Sequence, residues 1–141
     1  MKQHLFVVSA ALILGISGNA LAACSGTQVI DGPGTGSGNK NLTALVSGNT
    51  ICASQGGDSW QEQHRAGGQL WDYKLGNGHP VDPTEQVGTW SVSGSQLTHA
   101  YTNGPSFNYT VWVSTAAGFT HTLCGAQTIE AKIKTGITNC P

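Results

Sequence analysis

The polar residues that could support chemistry lie in the middle of the chain. Glu62 and His64 are two positions apart on one predicted strand and therefore point to the same face. Asp72 lies on the next predicted strand, and His79 and Asp82 lie in the proline-containing loop after it. If that loop folds over the hairpin, the imidazoles and carboxylates converge in a set that suits zinc, copper or general acid–base catalysis. The metal hypothesis takes His64, Glu62 and His79 as ligands.

The same residues also have a simpler interpretation as ordinary surface groups. Glu62 and His64 then form a solvated strand face, and Asp82 starts a turn before a proline. His99 and His121 are predicted to lie on strand surfaces in the same way. The sequence contains no G-x-S-x-G, H-E-x-x-H, C-x-x-C or acidic calcium-loop motif. We therefore predict that the protein is not an enzyme and carries no cofactor.

Tryptophan and tyrosine are prominent in a chain of which only 9% of residues are charged. Aromatic walls with few polar groups are typical of small-molecule sites, so Trp60, Trp71 and Trp90 are candidates to line a pocket for an apolar or sugar ligand. Equally, bulky rings fill the interior of a small barrel. Trp112 lies on the opposite strand face from Tyr109, and we predict that it is exposed or at an interface, where it contacts a partner.

The four cysteines of the chain predict two disulfides if the protein is exported, and three pairings are open. Cys52 and Cys124 follow apolar residues in strand-like runs, whereas Cys24 and Cys140 lie near the two ends of the mature chain. The preferred pairing is therefore Cys52–Cys124 within the sheet and Cys24–Cys140 between the termini.

Residues 1–22 have the pattern of a secretory signal peptide, with a basic start, an apolar run over 5–16 and the cleavage pattern Ala20-Leu21-Ala22. The pattern predicts export to the periplasm or outside the cell. Leu21-Ala22-Ala23-Cys24 also resembles the lipobox of bacterial lipoproteins, so a lipid anchor at Cys24 in the outer membrane is the alternative. No later run approaches the roughly 20 apolar residues of a transmembrane span.

Charge and composition limit the partners and the number of domains. Six Lys and Arg against seven Asp and Glu give a net charge of −1, which offers no attraction to nucleic acid or to an anionic membrane surface. A length of 141 residues suits one domain. Residues 23–40 are rich in glycine and serine and predict a flexible arm, so the folded domain is assigned to residues 41–141.

The folded domain is predicted to begin with one short helix and to continue as strands. Asn41 suits the N-cap, Leu42, Leu45 and Val46 are spaced along one helical face, and Gly48 suits the stop; the helix is expected to cover one end of the domain. Apolar and polar residues then alternate over residues 50–53, 60–65, 69–75, 87–93, 96–102, 107–114, 119–124 and 128–134. Eight short strands joined by tight turns predict an all-β antiparallel meander that curls into a small barrel or half-barrel.

Two sets of short motifs resemble those of known proteins. Gly88-Thr89-Trp90-Ser91-Val92-Ser93-Gly94, followed by Leu97, is similar to the G-x-W strand and turn of lipocalin-like proteins. Leu45-Val46-Ser47-Gly48-Asn49-Thr50, with Gly68-x-Leu70-x-Asp72-Tyr73, resembles small exported bacterial proteins of unknown function with lipocalin-like half-barrels. The resemblance implies a lipocalin-like fold and no known activity.

Three functions are compatible with such a domain. The first is a module that binds a protein partner, for example an inhibitor of an exported hydrolase, through Trp112 or the loop at residues 79–83, which contains His79 and Asp82. The second is a carrier of a small apolar or sugar ligand, or of a metal ion, in a lipocalin-like cup. The third, a hydrolytic enzyme, lacks a recognisable catalytic motif.

Overall fold

The computed structural model describes residues 24–32, 41–73 and 85–140. The elements in these ranges are β1 (Gln28–Val29), α1 (Leu42–Val46), β2 (Thr50–Gln55), β3 (Asp58–Arg65), β4 (Gln69–Tyr73), β5 (Glu85–Ser93), β6 (Gln96–Tyr101), β7 (Ser106–Val113), β8 (His121–Cys124) and β9 (Thr128–Lys134). A 3-10 turn at Ala66–Gly68 joins β3 to β4. Among the described helices, none combines the length and hydropathy required to cross a membrane.

Strands β2 to β9 form a closed antiparallel barrel of eight strands. Each strand pairs with the next along the chain, and β9 pairs with β2 to close the ring. Closure leaves none of the eight strands with a free edge along its whole length. The predicted fold class, an antiparallel meander in a small barrel with one short helix before these strands, is therefore confirmed.

Glycine is required at two kinds of position in this barrel. Gly56 and Gly57 form the two-residue turn between β2 and β3 with φ of 59° and 94°, which matches a hairpin turn that needs positive φ at both positions. At Gly88 in β5, an added Cβ would lie 2.1 Å from the carbonyl oxygen of Ala100 on β6. A side chain at this position would therefore push two paired strands apart.

One end of the barrel is covered by α1 and filled with apolar side chains. Leu42 and Val46 are fully buried there and belong to the same core cluster as Ile51 and Val111. The side chain of Asn41 accepts a hydrogen bond of 2.8 Å from the backbone N–H of Ala44, which confirms the predicted N-cap. We call this end the closed end.

Part of the segment predicted to be a flexible arm joins the sheet as β1. Strand β6 pairs with β7 only up to Tyr109, which leaves the next residues of β7 open on that side. Val29 pairs with Val111 at this free edge and is 3% exposed. The backbone N–H of Asp31 then donates a 2.9 Å hydrogen bond to the carbonyl of Gly94, so the segment runs toward the closed end.

The disulfides are Cys24–Cys124 and Cys52–Cys140, with Cα separations of 6.0 and 5.7 Å. The pairing preferred from the sequence is therefore wrong. Cys52 on β2 and Cys124 on β8 are separated by β9, and strands two apart lie about 10 Å from each other, which is too far for a disulfide. Each strand cysteine bonds instead to a segment near one end of the chain.

The segment after β9 covers the outer face of β2 and β3. The N–H of Gly136 donates to Asn49 Oδ1 at 2.8 Å, and the N–H of Thr138 donates to Thr50 Oγ1 at 3.1 Å. The N–H of Cys140 donates to Gln61 Oε1 at 2.5 Å. Gln61 is 2% exposed because this segment lies over it.

Candidate functional site

In the part of the chain that the structure describes, the barrel end opposite α1 contains a cavity of about 190 Å³, and we call this end the open end. The β2–β3, β6–β7 and β8–β9 turns surround it. We call this cavity the cup, and its lining residues are Ala53, Gln55, Trp60, Glu62, Tyr101, Phe107, Tyr109, Leu123, Gln127 and Ile129. Eight-stranded barrels have an interior just wide enough for side chains or for one small ligand.

Four aromatic rings form much of the cup wall. Trp60 comes from β3, Tyr101 ends β6, and Phe107 and Tyr109 alternate inward on β7. The rings of Tyr101 and Phe107 meet edge to face at 5.9 Å, and those of Phe107 and Tyr109 stack at 6.4 Å. Phe107 is 37% exposed, so the aromatic wall reaches solvent. Tyr101 has room because its partner on β5 is Gly88.

A polar cluster formed by the buried residues Glu62, His64 and His99 and the hydroxyl of half-buried Tyr101 lies at the base of the cup. The hydroxyl of Tyr101 donates to Glu62 Oε1, and His99 Nδ1 lies 3.3 Å from Glu62 Oε2. The Nε2 atoms of His64 and His99 are 2.9 Å apart. The exposed fractions of the two histidines are 0% and 1%. The cluster joins β3 to β6 across the barrel interior, since these strands are not neighbours in the sheet.

The environment of the cluster sets its protonation. Burial by itself raises the pKa of Glu62, but the charge of a protonated His99 and the hydrogen bonds from His99 and Tyr101 outweigh it and lower that pKa to about 2. Burial, with a smaller contribution from His99, lowers the pKa of His64 to about 3. Burial and the charge of Glu62 raise the pKa of Tyr101, and the same two causes raise the pKa of Tyr109 to about 12.

The hydrogen bonds assign the protons in the cluster. At neutral pH the His64 ring is neutral and has one N–H, and its Nδ1 is buried with no hydrogen-bond partner among the described residues. The 2.9 Å separation of the two Nε2 atoms requires one of them to donate and the other to accept. His99 carries a proton on Nδ1 and donates it to Glu62.

This arrangement suits binding better than proton transfer. A general base works best when its pKa lies near the working pH, and the pKa of Glu62 lies far below it. His64 is fully buried and does not reach the cup, and Tyr101 stays protonated because its pKa is raised. What the cluster presents to the cup is a stable carboxylate beside a hydroxyl that already donates to it.

The distance between the two histidine nitrogens does not favour a metal site. Zinc–nitrogen bonds of 2.0–2.1 Å would place two tetrahedral ligands about 3.3 Å apart, whereas the two imidazole nitrogens lie at the 2.9 Å of a hydrogen bond. In the part of the chain that the structure describes, no group of three or more His, Cys, Asp or Glu side chains is placed to hold a metal ion. His79 and Asp82 lie outside the described residues.

The structure corrects the expected surface positions of three polar residues. Glu62 and His64 do share one strand face, but that face points into the barrel, and both side chains are buried. His99, which the sequence predicts on a strand surface, is buried as well, because Leu97, His99 and Tyr101 alternate onto the inner face of β6. His121 is half-buried, and burial lowers its pKa. The expectation that polar residues face solvent fails here, because these side chains contact one another in the barrel interior.

The tryptophans do not line one pocket, and only Trp60 reaches the cup. The ring of Trp71 faces outward, where the guanidinium of Arg65 lies 4.0 Å from its centre. Trp90 points inward but donates to the carbonyl of Arg65 at 3.0 Å, away from the cup. Trp112 lies on the outer face, as its alternation predicts, and is half-buried, with its indole N–H donating to a neighbouring threonine.

Sequence reasoning missed Phe107 as a site residue and gave Tyr101 and Tyr109 no role at a site. The available signal was the inward alternation of β7 next to β6, which places rings at the same end of two paired strands. No family model, no curated protein and no solved structure matches this chain. The lipocalin-like resemblance therefore stays a prediction.

Proposed function

We propose that this chain is an exported binding protein that holds a small, largely apolar ligand in the cup. The observation that carries the proposal is the contrast between a barrel end closed by α1 and an opposite end that opens into an aromatic-lined cavity. Concave sites with aromatic walls and a few polar groups are the usual form of small-molecule sites.

The volume of the cup limits the size of the ligand. An apolar cavity of about 150 Å³ in another protein is large enough to bind benzene. The cup, at about 190 Å³, therefore suits one six-membered ring with a short substituent. Gln55 and Gln127 offer neutral polar groups toward the mouth, and Glu62 lies deeper.

The disulfides support export without a lipid anchor. Disulfides persist in oxidising compartments and are rare in the cytosol. The sulfur of Cys24 is bonded to Cys124, so it is not free to carry the thioether lipid of a lipoprotein. Mass spectrometry of the mature protein should then show two disulfides and no lipid mass, whereas an acylated Cys24 would overturn this part of the proposal.

Binding to a protein partner is the second candidate function. The indole N–H of Trp112 is already hydrogen-bonded and its side chain is half-buried, so this residue offers less free surface than the sequence predicts. The loop at residues 79–83 lies outside the described residues.

The ligand-binding proposal is tested by calorimetric titration with 2-phenylethanol, a neutral one-ring probe. Gln55→Phe places a ring at the mouth of the cup and should abolish binding. Ser54→Phe is the matched control, since Ser54 lies next to Gln55 on the opposite face of β2, and should leave binding unchanged. Equal binding by both variants would place the probe elsewhere and overturn the proposal.

Fluorescence gives a second readout. A ligand in the cup should change the fluorescence emission of Trp60. This change should be absent in the Trp60→Phe variant. Trp112→Phe should retain the signal, because Trp112 is on the outer face.

A further inference from the structure

The base of the cup carries a charge as well as aromatic rings. Glu62 lines the cup, and the residue is only 5% exposed. Its two oxygens face the hydroxyl of Tyr101 and Nδ1 of His99. A carboxylate has about four acceptor positions, so two hydrogen bonds leave it able to accept further donors. Among the described residues, the only basic side chain within ion-pair distance of this carboxylate is His99, at 3.3 Å.

The described groups that face this carboxylate are a second acid, two histidines and two tyrosines. From β6 it is faced by His99 and Tyr101, from β3 by His64, from β7 by Tyr109 and from β4 by Asp72. None of these is a Lys or Arg. The charges of Glu62 and Asp72 act together on the hydroxyl of Tyr101.

The residues that line the cup also include no cation in the part of the chain that the structure describes. The nearest arginine along β3, Arg65, is engaged on the outer face with Trp71 and Gln63. Among the described residues, no Lys or Arg therefore competes with a positively charged ligand for Glu62 from inside the cup.

We propose that the cup selects a one-ring primary or secondary amine, with its ammonium group on the carboxylate of Glu62 and its ring packed among Trp60, Phe107 and Tyr109. This inference rests on the proposed ligand-binding function and names its ligand class. An ammonium group leaves water at a high cost unless it meets an opposite charge and hydrogen-bond acceptors, and Glu62 supplies both. The faces of the aromatic rings add attraction for a cation.

The same features select against two related ligand classes. A neutral alcohol of equal size fits the cup but gains only an ordinary hydrogen bond from Glu62. A carboxylate ligand would bring a second negative charge next to a buried one, which is strongly unfavourable. Selectivity by charge at constant size therefore distinguishes this inference from simple apolar binding.

The experiment compares three probes of matched size on the wild-type protein at neutral pH: 2-phenylethylamine, 2-phenylethanol and phenylacetate. The amine should bind about tenfold or more tightly than the alcohol, and phenylacetate should not bind measurably. Equal or tighter binding of the alcohol would overturn the amine inference and leave the ligand-binding function in place. Failure of all three probes to bind would overturn both.

Glu62→Gln locates the selectivity. This variant keeps the size of the side chain and removes its charge, so the affinity for the amine should fall to that of the alcohol, while the affinity for the alcohol stays the same. Retention of the amine preference in a folded Glu62→Gln protein would overturn the assignment to Glu62. If this variant does not fold, the wild-type comparison of the three probes still decides the inference.

Discussion

The two ends of the barrel use the same alternation of side chains for different purposes. At the closed end, α1 inserts Leu42 and Val46 among apolar residues, and the interior there is filled. At the open end, the inward positions carry aromatic rings around a cavity and a buried carboxylate at its base. One end is built as a core, and the other is left accessible.

The open end differs from the closed end in its buried polar groups, whose contribution to folding stability is small. Buried ionised and polar groups rarely stabilise a fold more than apolar residues of similar volume would. Glu62, His64 and His99 nevertheless occupy inward positions that apolar residues could fill. Their position beside the cavity is what the proposed ligand-binding function requires.

The largest expected effect comes from a disulfide. Removal of the bond between Cys52 and Cys140 by Cys52→Ala with Cys140→Ala should lower the free energy of unfolding by about 4 kcal/mol, because the bond closes a loop of 88 residues in the unfolded chain. Denaturant unfolding measures the change. The variant Cys24→Ala with Cys124→Ala removes the other disulfide, which closes a similar loop of 100 residues. Its free energy of unfolding should fall by about the same amount. A loss about twice as large in either variant would contradict the connectivity, because with any other pairing each variant breaks both disulfides.

The next effect separates the two ends directly. Leu42→Ala should cost about 2–5 kcal/mol of unfolding free energy, since it leaves a cavity beneath α1. Phe107→Ala at the open end should cost less, because its side chain is already 37% exposed. In probe titrations the order should reverse, with affinity lost in Phe107→Ala and kept in Leu42→Ala. Equal losses of stability would show that the two ends are equally packed.

Acid should destabilise the protein in two stages. In the unfolded chain His64 takes up a proton below about pH 6.5 and Glu62 below about pH 4.5, whereas in the folded protein their pKa values are about 3 and 2. The unfolded state therefore binds more protons, and the free energy of unfolding should fall by about 1.4 kcal/mol per pH unit below pH 6.5 and more steeply below pH 4.5.

The acid prediction is measured by denaturant unfolding at a series of pH values in a His121→Gln background, because burial also lowers the pKa of His121. Adding His64→Gln should flatten the curve between pH 6.5 and 4.5 and leave the steep part below. An unchanged slope in that variant would mean that His64 is not the group responsible.

The smallest expected effect is at the N-cap of α1. Asn41→Ala removes the acceptor for the N–H of Ala44 and should cost about 1 kcal/mol. Ser47→Ala, at the exposed other end of α1, is the control and should change stability by less than about 0.5 kcal/mol. Ligand affinity should be the same in both variants, since α1 lies away from the cup.

Much of the fold was predictable, whereas the site was only partly so. Alternation over residues 128–134 predicts β9 with the bounds that the structure has, and the other strands of the barrel lie within two residues of their predicted bounds over the described ranges. Trp60 was proposed as a pocket residue and lines the cup. His99 was not connected with Glu62, because 37 positions separate them in the chain and β4 and β5 separate their strands in the sheet.

The sequence by itself determined the local elements: which residues alternate, where Gly56 and Gly57 allow a tight turn, and where Asn41 starts a helix. These depend on contacts between near neighbours along the chain. The tertiary structure alone decided the disulfide pairing, which polar residues face inward, and the meeting of Glu62 with His99 and Tyr101. Those outcomes depend on closure of the barrel and on its register, which bring together residues that no local pattern connects.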